Sequence, residues 1–174
     1  VMLGSDDFLL RMLTARQDQR AINDYVAWTI NAAQAIGVKV VNPGGISAFK
    51  FNQRNLNLDE EHQYYRVTPR QILKVLAQAV HDLGIPHPLH VHASNLGIPG
   101  NVGTTLETMK AVEGLPLHLT HIQFHSYGTE GEHKFSSGAA RIAEAINSNH
   151  NITADVGQIM FGQTVTASGD NMAQ

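Results

Sequence analysis

Pro88-Leu-His-Val-His92, followed by Ala93-Ser-Asn-Leu-Gly-Ile-Pro-Gly-Asn101, is the stretch that decides the fold. Apolar and imidazole side chains alternate over its first five residues, and a Gly-, Pro- and Asn-containing loop follows. That pattern predicts a short strand leaving into a polar loop. Residues two apart in a strand project from the same face, so His90 and His92 share one. A helix is predicted over about 102–113, and Leu117-His-Leu-Thr-His-Ile122 reads as the next strand. Strand, polar loop, helix and strand make one βαβ unit.

The same cadence extends in both directions. Upstream, Val38-Lys-Val-Val-Asn42 is a β-branched run stopped by Pro43-Gly-Gly45. Thr68-Pro-Arg-Gln71 reads as an N-cap with proline at the first helical position, and Ile72, Leu73, Leu76, Ala79, Val80 and Leu83 carry that helix to Gly84. Before them, residues 5–36 read as one helix capped by Ser5-Asp6-Asp7 and ended by Gly37. Downstream, Ser137 is the expected cap of a helix through Ile142 and Ile146, and Asn151-Ile-Thr-Ala-Asp-Val156 is a fourth strand. Parallel strands near 38–42, 88–92, 117–122 and 151–156 are therefore expected, joined by right-handed crossovers.

The connections are unequal. Helix-to-strand links are short (84–87, 114–116, 147–150), whereas strand-to-helix links are long and polar (43–67, 93–101, 123–136). In α/β proteins the chemistry sits on loops leaving the C-terminal ends of strands. Those ends carry Asn42, His92, His121 and Asp155 here. An open flavodoxin-like sheet would suit the length, but Pro43-Gly-Gly45 is no phosphate-cradling turn and opens a long loop instead of a helix. The histidines on the rim favour a (β/α)8 TIM barrel, which needs about 250 residues and eight strands. The fold class expected is α/β, with parallel units forming about half of such a barrel. Residues 1–174 would be a single segment of that domain, the remainder lying outside this chain.

Composition narrows the chemistry. The 174 residues include 12 Lys+Arg and 15 Asp+Glu, for a formal charge of −3, and no basic run. Nucleic-acid binding, which needs clustered cations, is not expected. No apolar stretch approaches 18 residues, so no membrane span is expected, and the location inferred is cytoplasmic. With 43% apolar and 16% charged residues, disorder throughout is excluded. Val1 is not an initiator and Gly169–Gln174 has no tail chemistry, which suggests a piece of a longer polypeptide. Zero cysteines exclude disulfides and thiolate metal sites in this chain, so any metal must sit on His, carboxylate or modified Lys.

Ten histidines are the anomaly, nearly as many as Lys and Arg together. His90 and His92 on one strand face can converge on an ion, or can be packed, hydrogen-bonded imidazoles. On strict alternation His118 and His121 face opposite sides, so only one aims at a barrel interior. His121, at the strand end, is the better candidate, and His90 and His118 are assigned to packing or support. His62, His81, His87, His133 and His150 lie in helices or turns and read as bystanders. Asp155 could orient a histidine, bind a metal or bond a neighbouring loop. Asn95 and Asn101 could contact substrate or build turns. Lys39, inside a buried run, and Lys50, in Ala48-Phe-Lys-Phe51, are the two lysines that a CO₂-derived carbamate would turn into metal ligands. Either could instead be a salt-bridged or snorkelling lysine.

Val41-Asn-Pro-Gly-Gly45, His90-Val-His92 with Asn95-Leu-Gly97, Thr120-His-Ile-Gln-Phe-His-Ser-Tyr-Gly128 and Asp155-Val-Gly-Gln-Ile-Met-Phe-Gly162 together resemble the A subunit of the formylmethanofuran dehydrogenases. The resemblance is closer still to the counterpart in bacterial formyltransferase/hydrolase complexes, and it runs from about residue 20 onward. It implies a metal-dependent amidohydrolase barrel with a binuclear zinc centre, interconverting N-formylmethanofuran plus water with formate plus methanofuran in one-carbon metabolism. It implies His92 and His121 as ligands on strands five and six, with the carbamylated lysine of strand four at Lys39, or alternatively at Lys50. Asn95, Asn101, Gln123 and His125 would then support the metal or contact substrate. The implied partners are a methanofuran-like substrate and the other subunits of the complex. The superfamily's first-strand His-x-His pair and its general-base Asp are not in these residues, so the catalytic residue is expected outside the chain. Rivals are a cyclic-amide amidohydrolase of the dihydroorotase or hydantoinase type and a non-catalytic scaffold subunit.

Overall fold

A computed structural model describes residues 1–4, 7–43, 57–62 and 64–157. Its centre is a parallel sheet in the order β1 (Met2–Leu3), β2 (Lys39–Val41), β3 (Leu89–His92), β4 (Leu117–Leu119) and β7 (Ile152–Ala154). All four ladders are parallel and the strands lie in chain order. Helices α1 (Phe8–Ala15), α2 (Gln19–Ala33), α3 (Pro69–Asp82), α4 (Asn101–Ala111) and α5 (Ala139–Ser148) fall between them. A small antiparallel hairpin, β5 (Tyr127–Gly128) with β6 (Ser136–Ser137), occupies the link from β4 to α5.

The two faces of the sheet differ. Val40, Leu89, Val91, Leu117, Leu119 and Ile152 point one way and are at most 4% exposed. They pack into one apolar core with Ile22, Val26, Ile72, Leu73, Leu76 and Ile142 of the helices. Each such side chain contributes about 1.5–3 kcal/mol of burial. The helices also pack in succession, α1 on α2, α2 on α3, α3 on α4 and α4 on α5. On the opposite face Lys39, His90, His118 and Thr153 stand in one row across four strands. None of them is fully buried. A doubly wound sheet would bury apolar side chains on both faces. One apolar face under helices and one polar face is the wall of a barrel, with the polar face as its interior.

The local sequence explains most elements. α3 is closed by a capping box, the Thr68 hydroxyl accepting from the Gln71 N–H while the Gln71 side chain accepts from the Thr68 N–H. The single helix expected over 5–36 is two helices. Asp18 accepts from the Ala21 N–H as a new N-cap, and Gln17 before it turns left-handed at φ 56°. α2 also stops at Ala33, because Gln34 turns left-handed. β1 is not expected from the sequence, since two residues carry no readable alternation. It pairs with β2 and turns away at Gly4, where a Cβ would lie 2.6 Å from Val40 Cγ2. Gly138, not Ser137, occupies the N-cap of α5, because Ser137 is held in β6 opposite Tyr127. Among the described residues no helix is long and apolar enough to cross a membrane.

Candidate metal and substrate site

His92 closes β3 on the polar face, where alternation places it. β4 stops earlier than expected, at Leu119, so alternation ends before His121. His121 adopts a left-handed backbone, φ 39° and ψ 52°, at the entry of a 3₁₀ turn, Ile122–His125. That turn carries its imidazole to the polar side. His121 Nε2 lies 2.6 Å from His92 Nδ1, and the rings meet edge to face at 4.3 Å. The expectation that only one of His118 and His121 can reach the interior is therefore corrected. His118 reaches it by alternation, its ring 5.0 Å from His90, and His121 reaches it by the turn.

Asp155 holds the turn. Its Oδ1 accepts from the His121 N–H at 2.6 Å, and its Oδ2 accepts from the Thr120 hydroxyl at 2.9 Å and His118 Nε2 at 3.0 Å. Burial opposes its ionisation, but these donors together outweigh burial and hold the carboxyl down at about 2. His118 Nδ1 lies 2.9 Å from Thr153 Oγ1. Of the three roles that the sequence leaves open for Asp155, its contacts among the described residues are those of an orienting group. Sequence reasoning missed Gly157, which packs against His121, and Thr120.

Burial, then the nearby charge of Lys39, pushes the His92 imidazole down to about 3, so it is neutral. His125 is 1% exposed and stacks on His121 at 5.3 Å. Burial, then His121, pushes it down to about 4, the Ser94 backbone working the other way. Lys39 stands half-buried on the polar face, level with His90 across the ladder. Lys50 lies outside the described residues.

The amides expected near substrate knit the rim together. Asn101 Nδ2 donates to the carbonyls of Asn95 at 2.8 Å and Phe124 at 2.7 Å, and its Oδ1 accepts from the Tyr127 N–H at 2.9 Å. Asn95, left-handed at φ 64°, donates from Nδ2 to Thr104 Oγ1. Gln123 Oε1 accepts from the Gly157 N–H at 2.9 Å. The loops after β3, β4 and β7 thus form one connected platform around His92 and His121.

The donor chemistry suits a divalent metal. Neutral imidazole is what zinc requires, and burial keeps His92 neutral with its Nδ1 facing His121 Nε2. Two nitrogens on a tetrahedral zinc stand about 3.3 Å apart, so the His92–His121 pair would part by under about 1 Å to admit one. Among the described residues no group of three or more His, Asp or Glu converges closely enough to hold a metal unaided. An open cavity of about 810 Å³ lies at the other end of the polar face, lined by Gln34–Lys39, His87, Pro88, His90, His118 and Thr153.

These features define the class: a wall of parallel β/α units from an α/β barrel, its inner face polar and its rim carrying converging imidazoles. Comparison with known proteins narrows it. The chain is 42% identical over 99% of its length to the A subunit of the formyltransferase/hydrolase complex Fhc of Methylorubrum extorquens. It is 41% identical over 88% of its length to protein FwdA of Methanocaldococcus jannaschii. It also matches, with a TM-score of 0.85 and 43% identity over 94% of the chain, the X-ray crystal structure of the formyltransferase/hydrolase complex (FhcABCD) from M. extorquens in complex with methylofuran. The match covers 30% of that chain. No protein-family model matches. The chain spans 32% and 29% of the two curated relatives. It is a homologue of one segment of these two proteins.

Proposed function

We propose that this chain forms part of a zinc-dependent amidohydrolase subunit that interconverts N-formylmethanofuran and water with formate and methanofuran, in the cytoplasm. The observation that carries the reading is the meeting of His92 and His121, one from each of two successive strand ends, on the polar face of the sheet. His92 and His121 would hold the metal, with Lys39 as the carbamylated ligand. Lys39 supports that role by standing on the same face as His92 and by being the charge that bears most on it. When bound, a zinc pair supplies Lewis-acid polarisation of the formyl carbonyl and lowers the pKa of water.

The chain's own residues position and enclose. Asn101 fastens the loop after β3 to the loop after β4, and Asn95 braces Asn101, so the two imidazoles keep a fixed separation. Gln123 stands on the same rim, where a methanofuran-like substrate would pass, and the buried His125 backs the His121 ring. The general base and the remaining ligands would come from the longer subunit, and the other subunits of the complex would be its partners.

The deciding experiment is metal analysis with formyl-amide hydrolysis on the full-length protein, beside His92→Ala, His121→Ala, Lys39→Ala and Lys50→Ala. The first three should lose zinc and lower activity by more than roughly 100-fold, since even supporting residues of metal sites cost about 10–100-fold. Wild-type zinc and activity in all three would overturn the site. Retention in Lys39→Ala with loss in Lys50→Ala would move the carbamate to Lys50. Hydrolysis of a cyclic amide but not of a formyl amide would overturn the substrate and keep the site.

A further inference from the structure

Residues 117, 119 and 121 have the same parity, and Leu117 and Leu119 point into the helix-covered core. Had β4 continued, His121 would follow them, away from His92. Two features of the segment after β7 coincide with its departure. Asp155 grips residues 118–122 with both backbone and side chain. Its N–H donates to the Leu119 carbonyl at 3.0 Å, its carbonyl accepts from the Ile122 N–H at 3.0 Å, and its carboxylate takes the His121 N–H, the Thr120 hydroxyl and His118 Nε2. Gly157 then presses on the same residue. A Cβ there would lie 2.9 Å from His121 Cβ and 2.8 Å from Gln123 Nε2.

We infer that Asp155 and Gly157 are positioning residues that brace His121 in its left-handed turn and so aim its imidazole at His92. A left-handed non-glycine residue is strained, so the conformation persists only where surrounding bonds hold it. The His121 N–H would otherwise pair along a strand, and the carboxylate captures it instead. Glycine is required two residues later because the backbone runs within van der Waals reach of the His121 side chain. The brace comes from the segment after β7 and not from β4, which leads into His121. The proposal rests on the reading of His121 as a metal ligand.

The test uses the full-length protein with Asp155→Ala, Asp155→Asn and Gly157→Ala, beside His92→Ala and His121→Ala. Zinc affinity is measured by competition with a chelator, and ligand geometry by the electronic spectrum of the cobalt(II)-substituted protein. Asp155→Ala and Gly157→Ala should weaken zinc binding about 10–100-fold. Each should change the cobalt spectrum and lower kcat with little change in KM. Asp155→Asn retains an oxygen acceptor for the His121 N–H and should recover part of the loss. If Asp155→Ala does not fold, Asp155→Asn and Gly157→Ala carry the test. Folded variants with wild-type zinc affinity and cobalt spectrum, beside a zinc-deficient His121→Ala, would overturn the brace while sparing the ligand assignment. Wild-type zinc in both His92→Ala and His121→Ala would instead overturn the ligand assignment, and the brace with it.

Discussion

His92 and His121 end up 2.6 Å apart, but different physics brings each one there. His92 is the last residue of a regular strand, and the alternation that buries Leu89 and Val91 turns His90 and His92 to the other side. His121 lies beyond the end of its strand, on the wrong parity, and arrives through a strained turn held by a carboxylate just past β7. One half of the pair is a consequence of periodicity and the other of a tertiary contact. The first half is insensitive to anything but the strand. The second depends on residues some thirty positions further along the chain.

The comparison requires that the strands themselves be equally well anchored. Leu89 on β3 and Leu117 on β4 are both fully buried. In the full-length protein Leu89→Ala and Leu117→Ala should each cost about 2–5 kcal/mol in denaturant unfolding. A much smaller loss at Leu117 would mean that β4, not only its end, is loosely held.

A sharper contrast lies at the histidines themselves. His92 is extended, where glycine is poorer than alanine by roughly 0.5–1 kcal/mol, so His92→Gly should be less stable than His92→Ala. His121 is left-handed, where alanine carries a strain that glycine does not, so the order should reverse by about 1 kcal/mol. Thermal midpoints of the four variants without metal check this. The same order at both positions would remove the distinction between strand and turn.

The smallest effect is expected on the polar face. Thr153→Val removes one hydroxyl near His118 at an exposed position and should change stability by no more than about 1 kcal/mol. A loss as large as that of Leu117→Ala would show that the polar face carries the fold as well as the chemistry.

Much of this is legible in the sequence. The helix from Thr68, its N-cap followed by proline and its apolar stripe are local, and they appear where expected. The four strands expected near 38–42, 88–92, 117–122 and 151–156, their parallel order and the polar face of β3 also follow from alternation and loop lengths. The break at Asp18 is visible as an Asp cap inside the polar run Arg16-Gln-Asp-Gln-Arg20, but the apolar positions on either side share one helical spacing. β1 and the hairpin of β5 and β6 are not visible, because strands of two residues have no period. In the site, His92 can be placed by counting. Asn101 can be seen as a loop residue, but its bonds to Phe124 and Tyr127 join segments more than twenty positions apart.

Sequence alone set the parallel β/α architecture, the sidedness of β3 and the absence of thiolate chemistry, because these depend on residue type and short-range spacing. Tertiary structure decided where β4 ends, that His118 and His121 share a face, and that Asp155 and Gly157 close on the same turn. Those outcomes depend on hydrogen bonds and close contacts between residues about 34 to 37 apart, and no local pattern encodes which carboxylate will meet which amide.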